Sequence, residues 1–163
     1  MKRRAVLKAA ATAAAFAGLA RFALAATGRK MKIGIVGSGM VGGTLGGVWV
    51  RAGHQAMFSS LDIEHDKALA ATLGQNARAG APREAAAFGE VVMISVPYRA
   101  LPEVGKTLAG LASAELLRGA RLVRAFNAIG ASRMGEAHKE PGRIGMPMAG
   151  DDAEAIAIAA TLK

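Results

Sequence analysis

The chain of 163 residues predicts an α/β fold, a single domain built on a Rossmann-type doubly wound parallel sheet. Three observations predict it. A short strand-like run, Ile33 to Val36, passes without a gap into Gly37-x-Gly39-x-x-Gly42, and an amphipathic segment from Thr44 to Ala52 follows at once. Segments of strand character then alternate with segments of helical period as far as Leu162. Finally, Val91-Val92-Met93-Ile94-Ser95-Val96 is an apolar run ending at Pro97, the pattern of a parallel strand buried on both faces.

The elements follow in order. Residues 1–25 read as a signal peptide of twin-arginine type. A charged start (Lys2-Arg3-Arg4-Ala5-Val6-Leu7-Lys8) precedes a mildly apolar, alanine-rich stretch from Ala9 to Ala20, and Ala23-Leu24-Ala25 forms a small-x-small cleavage site. That stretch is too short to span a bilayer, so no stable membrane anchor is expected. Residues 26–30 read as a short linker, and 31–163 as the Rossmann-type domain. Export by the twin-arginine machinery would place the protein in the periplasm or outside the cell; if Met31 is the true start, it stays in the cytoplasm.

Within the domain, Gly53 stops the first helix and Gln55 to Ser59 reads as the second strand. Asp62 to Leu73 follows as a helix with apolar positions at Ile63, Leu69 and Leu73, and Gln75 to Ala79 as a short third strand. Pro82 opens a helix that runs to Phe88 and stops at Gly89, because proline suits the first helical turn. After the strand at Val91, Leu101 to Leu108 reads as helix. Arg121 to Phe126 and Arg143 to Met148 read as two more strands, and Asp151 to Leu162 as a final helix.

Composition narrows the function. The formal net charge is +9, but seven of the basic residues lie within the first 30, where there is no acid; the rest carries 14 basic and 12 acidic residues. A body so nearly neutral lacks the basic footprint of a nucleic-acid-binding protein. The chain has no cysteine, which excludes disulfides, thiolate metal sites and cysteine nucleophiles.

The glycine spacing has a physical reading. Gly37 allows a sharp turn off the strand, Gly39 removes a Cβ from the path of a pyrophosphate, and Gly42 lets the helix lie close to the sheet. The helix start then offers unpaired backbone N–H groups and a partial positive charge to phosphates. The end of the second strand, where an acid commonly accepts the ribose hydroxyls of NAD, carries Ser59-Ser60-Leu61. Two hydroxyls in place of a carboxylate tilt the reading toward NADP, while Asp62 is near enough to play the NAD role.

Taken together, Ile33-Gly-Ile-Val-Gly-Ser-Gly-Met-Val-Gly-Gly43, Ala52-Gly-His54, Phe58-Ser-Ser60, Ser95-Val-Pro-Tyr98, Ala125-Phe-Asn127 and Ala149-Gly-Asp-Asp152 resemble the NADP oxidoreductases that depend on coenzyme F-420, a deazaflavin. The resemblance implies hydride exchange between NADP(H) and the deazaflavin as co-substrate. It implies that Gly37, Ser38, Gly39, Met40, Val41 and Gly42 hold the pyrophosphate, and Ser59 and Ser60 the 2′-phosphate. Val96 and Pro97 would flank the cofactor, with Phe126, Asn127 and Ala128 near the nicotinamide. Three departures stand out. Leu61 occupies a position where members commonly carry arginine, leaving His65 or Lys67 as substitutes. Ala109 to Gly119 is too short for a further strand and an Asn-Pro-containing loop. The chain ends at Lys163, before the segments that shape the deazaflavin site.

Other constellations point to structure. His54, His65 and His138 show no metal spacing and read as exposed or capping residues; Asp151, Asp152 and Glu154 read as a helix start. Ser38 and Ser95 lack the partners of a hydrolase triad, Met146 and Met148 read as packing, and Trp49 as core. No general acid or base stands out, and hydride transfer between two cofactors does not demand one. Three functions fit: an exported NADP-dependent oxidoreductase with a deazaflavin or flavin-like acceptor, a non-catalytic NADP(H)-binding module, and a reductase of a small imine or keto acid. The partners expected are small molecules, and a homo-oligomer stays open.

Overall fold

The computed structural model describes residues 29–108, 121, 123–127, 130–136 and 145–162, so the expected leader lies outside the described residues. The elements are β1 (Lys32–Val36), α1 (Met40–Arg51), β2 (Gln55–Ser59), α2 (Ile63–Leu73), β3 (Ala77–Ala79), α3 (Pro82–Phe88), β4 (Val91–Ile94), a 3₁₀ turn (Tyr98–Ala100), α4 (Leu101–Leu108), α5 (Ala131–Met134) and α6 (Ala153–Ala160). Among the described residues, four strands form one parallel sheet in the order β3-β2-β1-β4.

Alternation along β1 explains the two layers. Ile33 and Ile35 are fully buried on the face covered by α1, where they join Leu45, Trp49, Val50 and Phe58 in the main core. Gly34 points the other way, toward α3: a Cβ there would fall 2.0 Å from the Ala85 carbonyl oxygen. Leu69 and Leu73 of α2 approach Gly43 and Gly47 of α1, so α1 and α2 share a face. The crossover from β3 to β4 through α3 therefore covers the opposite face, the winding expected when chain order reverses beside β1.

Most element boundaries lie within a few residues of the expectation. α1 begins at Met40 rather than Thr44, because Gly39 already serves as its N-cap. α2 is capped by Asp62, which accepts the Glu64 and His65 amides at 3.1 and 3.0 Å, and α6 by Asp152, which accepts from Ala155 at 2.8 Å. Ile63, expected on the inward face, is exposed: it is the first residue after the cap, and burial along its stripe begins a turn later at Asp66.

Three expectations are corrected. The run from Val91 forms a strand only to Ile94, and Val91 to Met93 are half-buried rather than fully buried. The reason is that β4 pairs with β1 alone among the described residues, while a cavity of about 350 Å³ opens beyond it toward Trp49, Phe126 and Ile158. The segments expected as strands near 121–126 and 143–148 contribute, among the described residues, one isolated antiparallel bridge between Arg124 and Ala149. His54 is buried, not exposed: its Nδ1 accepts the Met31 amide at 3.1 Å and joins the start of β1 to the end of α1.

Candidate functional site

The carboxyl ends of β1, β2 and β4 meet around the glycine turn. Gly37 has φ +99°, a left-handed value that glycine tolerates, and a Cβ at this position would fall 2.2 Å from the Ser95 carbonyl oxygen and 2.9 Å from Val96 Cγ1. The Ser95–Val96 turn after β4 is thus packed against the turn after β1. At Gly42 a Cβ would strike the Gly37 carbonyl at 2.1 Å, which confirms the close approach of helix to strand. Gly39 is different. A Cβ there would meet nothing within 4 Å, so the space in front of it is open.

That space faces the start of α1. Gly39 caps the helix without any side-chain bond, and no acid stands in its first turn. The amides of Met40, Val41 and Gly42 precede the first helical bond, from Gly43 to the Gly39 carbonyl at 2.7 Å. Unpaired donors, the positive end of the helix dipole and a missing Cβ together make an anion cradle.

The serines after β2 are placed differently from each other. Ser59 is fully buried; its hydroxyl donates to the Ile35 carbonyl at 2.7 Å. Its own carbonyl accepts from the Gly37 and Ser38 amides at 2.8 and 3.0 Å. The expected contact of its hydroxyl with a 2′-phosphate is therefore corrected: Ser59 braces the glycine turn from behind. Ser60 is half-buried, and Leu61 beside it is exposed.

Behind both lies a residue that the sequence reading passed over. Asp66 of α2 is fully buried, and its carboxylate accepts hydrogen bonds from the hydroxyls of Ser38 and Ser60. It thereby fastens the glycine turn to the end of β2. The signal was available, since Asp66, Leu69, Ala70 and Leu73 form one helical stripe, and an acid on an inward stripe implies a hydrogen-bonded partner.

On the far side, Pro97 and Tyr98 are exposed after β4. Phe126 is half-buried with φ +60°, a strained value for an aromatic residue, and Asn127 beside it is exposed. Among the described residues no hydrogen bond joins Asn127 to the glycine turn, and Ala128 lies outside them. The site is thus assembled from residues 37–42, 59–60 and 95–97, with 126–127 not brought to the turn by any described contact. Among the described residues there is no cluster of His, Asp or Glu that could hold a metal, and no helix long and apolar enough to cross a membrane.

No curated protein matches the chain. A solved structure of a hypothetical protein from Sinorhizobium meliloti shares the fold with a TM-score of 0.66 at 18% identity, covering 82% of each chain. The family model described as "NADP oxidoreductase coenzyme F420-dependent" matches residues 32–123, which include all four strands and the glycine turn. The chain belongs to that family of oxidoreductases.

Proposed function

We propose that this protein is an oxidoreductase that passes a hydride between a nicotinamide dinucleotide and a flavin-like acceptor, with the deazaflavin coenzyme F-420 as the acceptor the family description favours. The observation that carries the reading is the open space before Gly39 at a helix start with no side-chain cap bond and no acid. The residues present fit a dinucleotide at its pyrophosphate, which the amides of Met40, Val41 and Gly42 would hold, those of Gly37 and Ser38 being given to the Ser59 carbonyl.

When bound, the nicotinamide supplies the hydride chemistry, and the chain's own residues bind and orient it. The Gly37 turn sets the distance of closest approach. The Ser95-Val96-Pro97 turn, packed against Gly37, supplies an apolar wall that excludes water from one side of the crevice. Asp66 and Ser59 hold the turn from behind, so that its amides are preorganised before a ligand arrives.

The experiment is to follow nicotinamide absorbance with NADH or NADPH and a panel of acceptors: deazaflavin, a flavin, small imines and keto acids. Oxidation with deazaflavin is expected. Turnover with an imine or keto acid alone would reassign the acceptor, and binding without turnover on any acceptor would replace the enzyme by a binding module. The proposal includes the leader: after twin-arginine export, this reaction takes place outside the cytoplasm.

A further inference from the structure

We infer that the end of β2 accepts the free 2′-hydroxyl of an adenosine ribose and rejects a 2′-phosphate, so that NAD(H) is the nucleotide of this chain. The inference rests on the dinucleotide reading above. It departs from the cofactor named in the family description, and the reason is a count of protons and charges.

A 2′-phosphate brings up to two negative charges and needs donors or cations around it. The hydroxyl of Ser59 is buried, and its one proton is given to Ile35. The hydroxyl of Ser60 also has one proton, and three acceptors already stand within 3.1 Å of it: both carboxylate oxygens of Asp66 and the Asp62 carbonyl. One of its lone pairs receives the Asp62 amide at 3.1 Å. Ser60 therefore has a lone pair left to offer and no proton. The side chain of Leu61 projects into solvent with nothing to donate, and Lys67 is paired with Glu64 at 2.8 Å.

The local charge points the same way. Between residues 59 and 67 stand three carboxylates, Asp62, Glu64 and Asp66, against Lys67 and the imidazole of His65. Asp66 is buried directly behind Ser60, so a phosphate placed on Ser60 would face its charge through a single hydroxyl. In low-dielectric surroundings that repulsion is screened less than in water.

A ribose hydroxyl has the opposite requirement, an acceptor. Asp62 lies about twenty residues beyond the last glycine of the turn, the interval at which an acid meets the ribose in NAD-binding folds. Both capping bonds of Asp62 fall on Oδ1, and Oδ2 has no hydrogen bond among the described residues. Oδ2 is the acceptor we assign to the 2′-hydroxyl, and the spare lone pair of Ser60 is a second.

Isothermal calorimetry of the full chain with NADH and with NADPH tests this without any turnover. NADH is expected to bind at least about tenfold more tightly, the effect of one unit-charge repulsion near a protein surface. NADPH binding as tightly as NADH, or more so, would overturn the inference and leave the dinucleotide reading standing. No heat with either nucleotide would overturn both. Two variants refine the answer. Leu61→Arg should tighten NADPH several-fold and leave NADH nearly unchanged. Asp62→Asn keeps a good helix cap but loses the charge, and should narrow the NADH preference; an unchanged ratio would remove Asp62 from the assignment.

Discussion

The ring of Trp49 meets the ring of Phe126 edge to face, with centroids 5.7 Å apart and an interplanar angle of 68°. Trp49 belongs to the helix that begins at the glycine turn, and Phe126 to the segment that the family resemblance puts near the nicotinamide. The same indole donates its Nε1–H to the Leu162 carbonyl at 2.6 Å. One side chain of α1 thus collects two distant parts of the chain.

Replacing it should be costly. Trp49→Ala should lower the unfolding free energy by about 3–5 kcal/mol, as expected for a large aromatic removed from a core. Trp49→Phe keeps most of the packing but leaves a buried carbonyl without its donor, at a cost of about 1–3 kcal/mol. Urea titration followed by circular dichroism measures both; equal stability of Trp49→Phe and wild type would show the Leu162 bond to contribute nothing.

The glycines of the turn should separate fold from binding. Gly37→Ala meets both a left-handed φ and a backbone oxygen 2.2 Å away, so it should destabilise the fold by about 2–5 kcal/mol. Gly39→Val has open space and should cost less than about 1 kcal/mol of stability, mainly as a poorer helix cap. Its side chain would nonetheless stand in the pyrophosphate path, and nucleotide binding should be lost. Thermal unfolding and calorimetry read the two effects separately. Unchanged binding in Gly39→Val would remove the pyrophosphate from this turn.

His54 should make the fold sensitive to mild acid. Burial, reinforced by the nearby Lys30 charge, pushes its pKa below the ordinary value of about 6.5. Its Nδ1 also accepts the Met31 amide, a bond that protonation would abolish. A depressed histidine favours the neutral form when folded. Its contribution is therefore fully present above about pH 6.5 and is lost as pH falls through the lower, folded-state value. His54→Asn keeps a side-chain acceptor without a titrating ring, and should flatten that part of the stability profile. Denaturation midpoints across this pH range check it: parallel profiles for the two proteins would contradict the assignment.

Export can be examined apart from chemistry. If residues 1–25 are the twin-arginine leader proposed above, changing Arg3 and Arg4 to Lys should hold the chain in the cytoplasm with that leader uncut, because the route reads the arginine pair. Cell fractionation gives the result, and a processed double-lysine variant in the periplasm would exclude the route.

Much of the fold was legible because its signals are local. The run into Gly37-Ser38-Gly39, the proline at Pro82 and the aspartates at Asp62 and Asp152 each set a boundary within a residue or two. What escaped the sequence depends on neighbours distant in the chain. Val91 to Ile94 looks fully buried as a string of letters, yet its burial depends on what lies across its outer edge. Ser59 and Ser60 read as an equivalent pair, but a strand's alternation turns one hydroxyl toward Ile35 and leaves the other to Asp66. His54 looked polar enough for the surface, and only the pairing of β1 with β2 shows why it is enclosed.

The crowding of α1 against the sheet has an energetic consequence. That helix carries four glycines in twelve residues, each about 0.8–1 kcal/mol poorer than alanine in helix propensity. A peptide of residues 40–51 should therefore be coil in water, and α1 can form only once β1 and β2 offer a surface on which to fold. The segment that presents the glycine turn thus owes its order to the sheet rather than to its own propensity. Any nucleotide held there acts on the folding equilibrium by mass action, adding about 2.7 kcal/mol at a concentration one hundred times its dissociation constant.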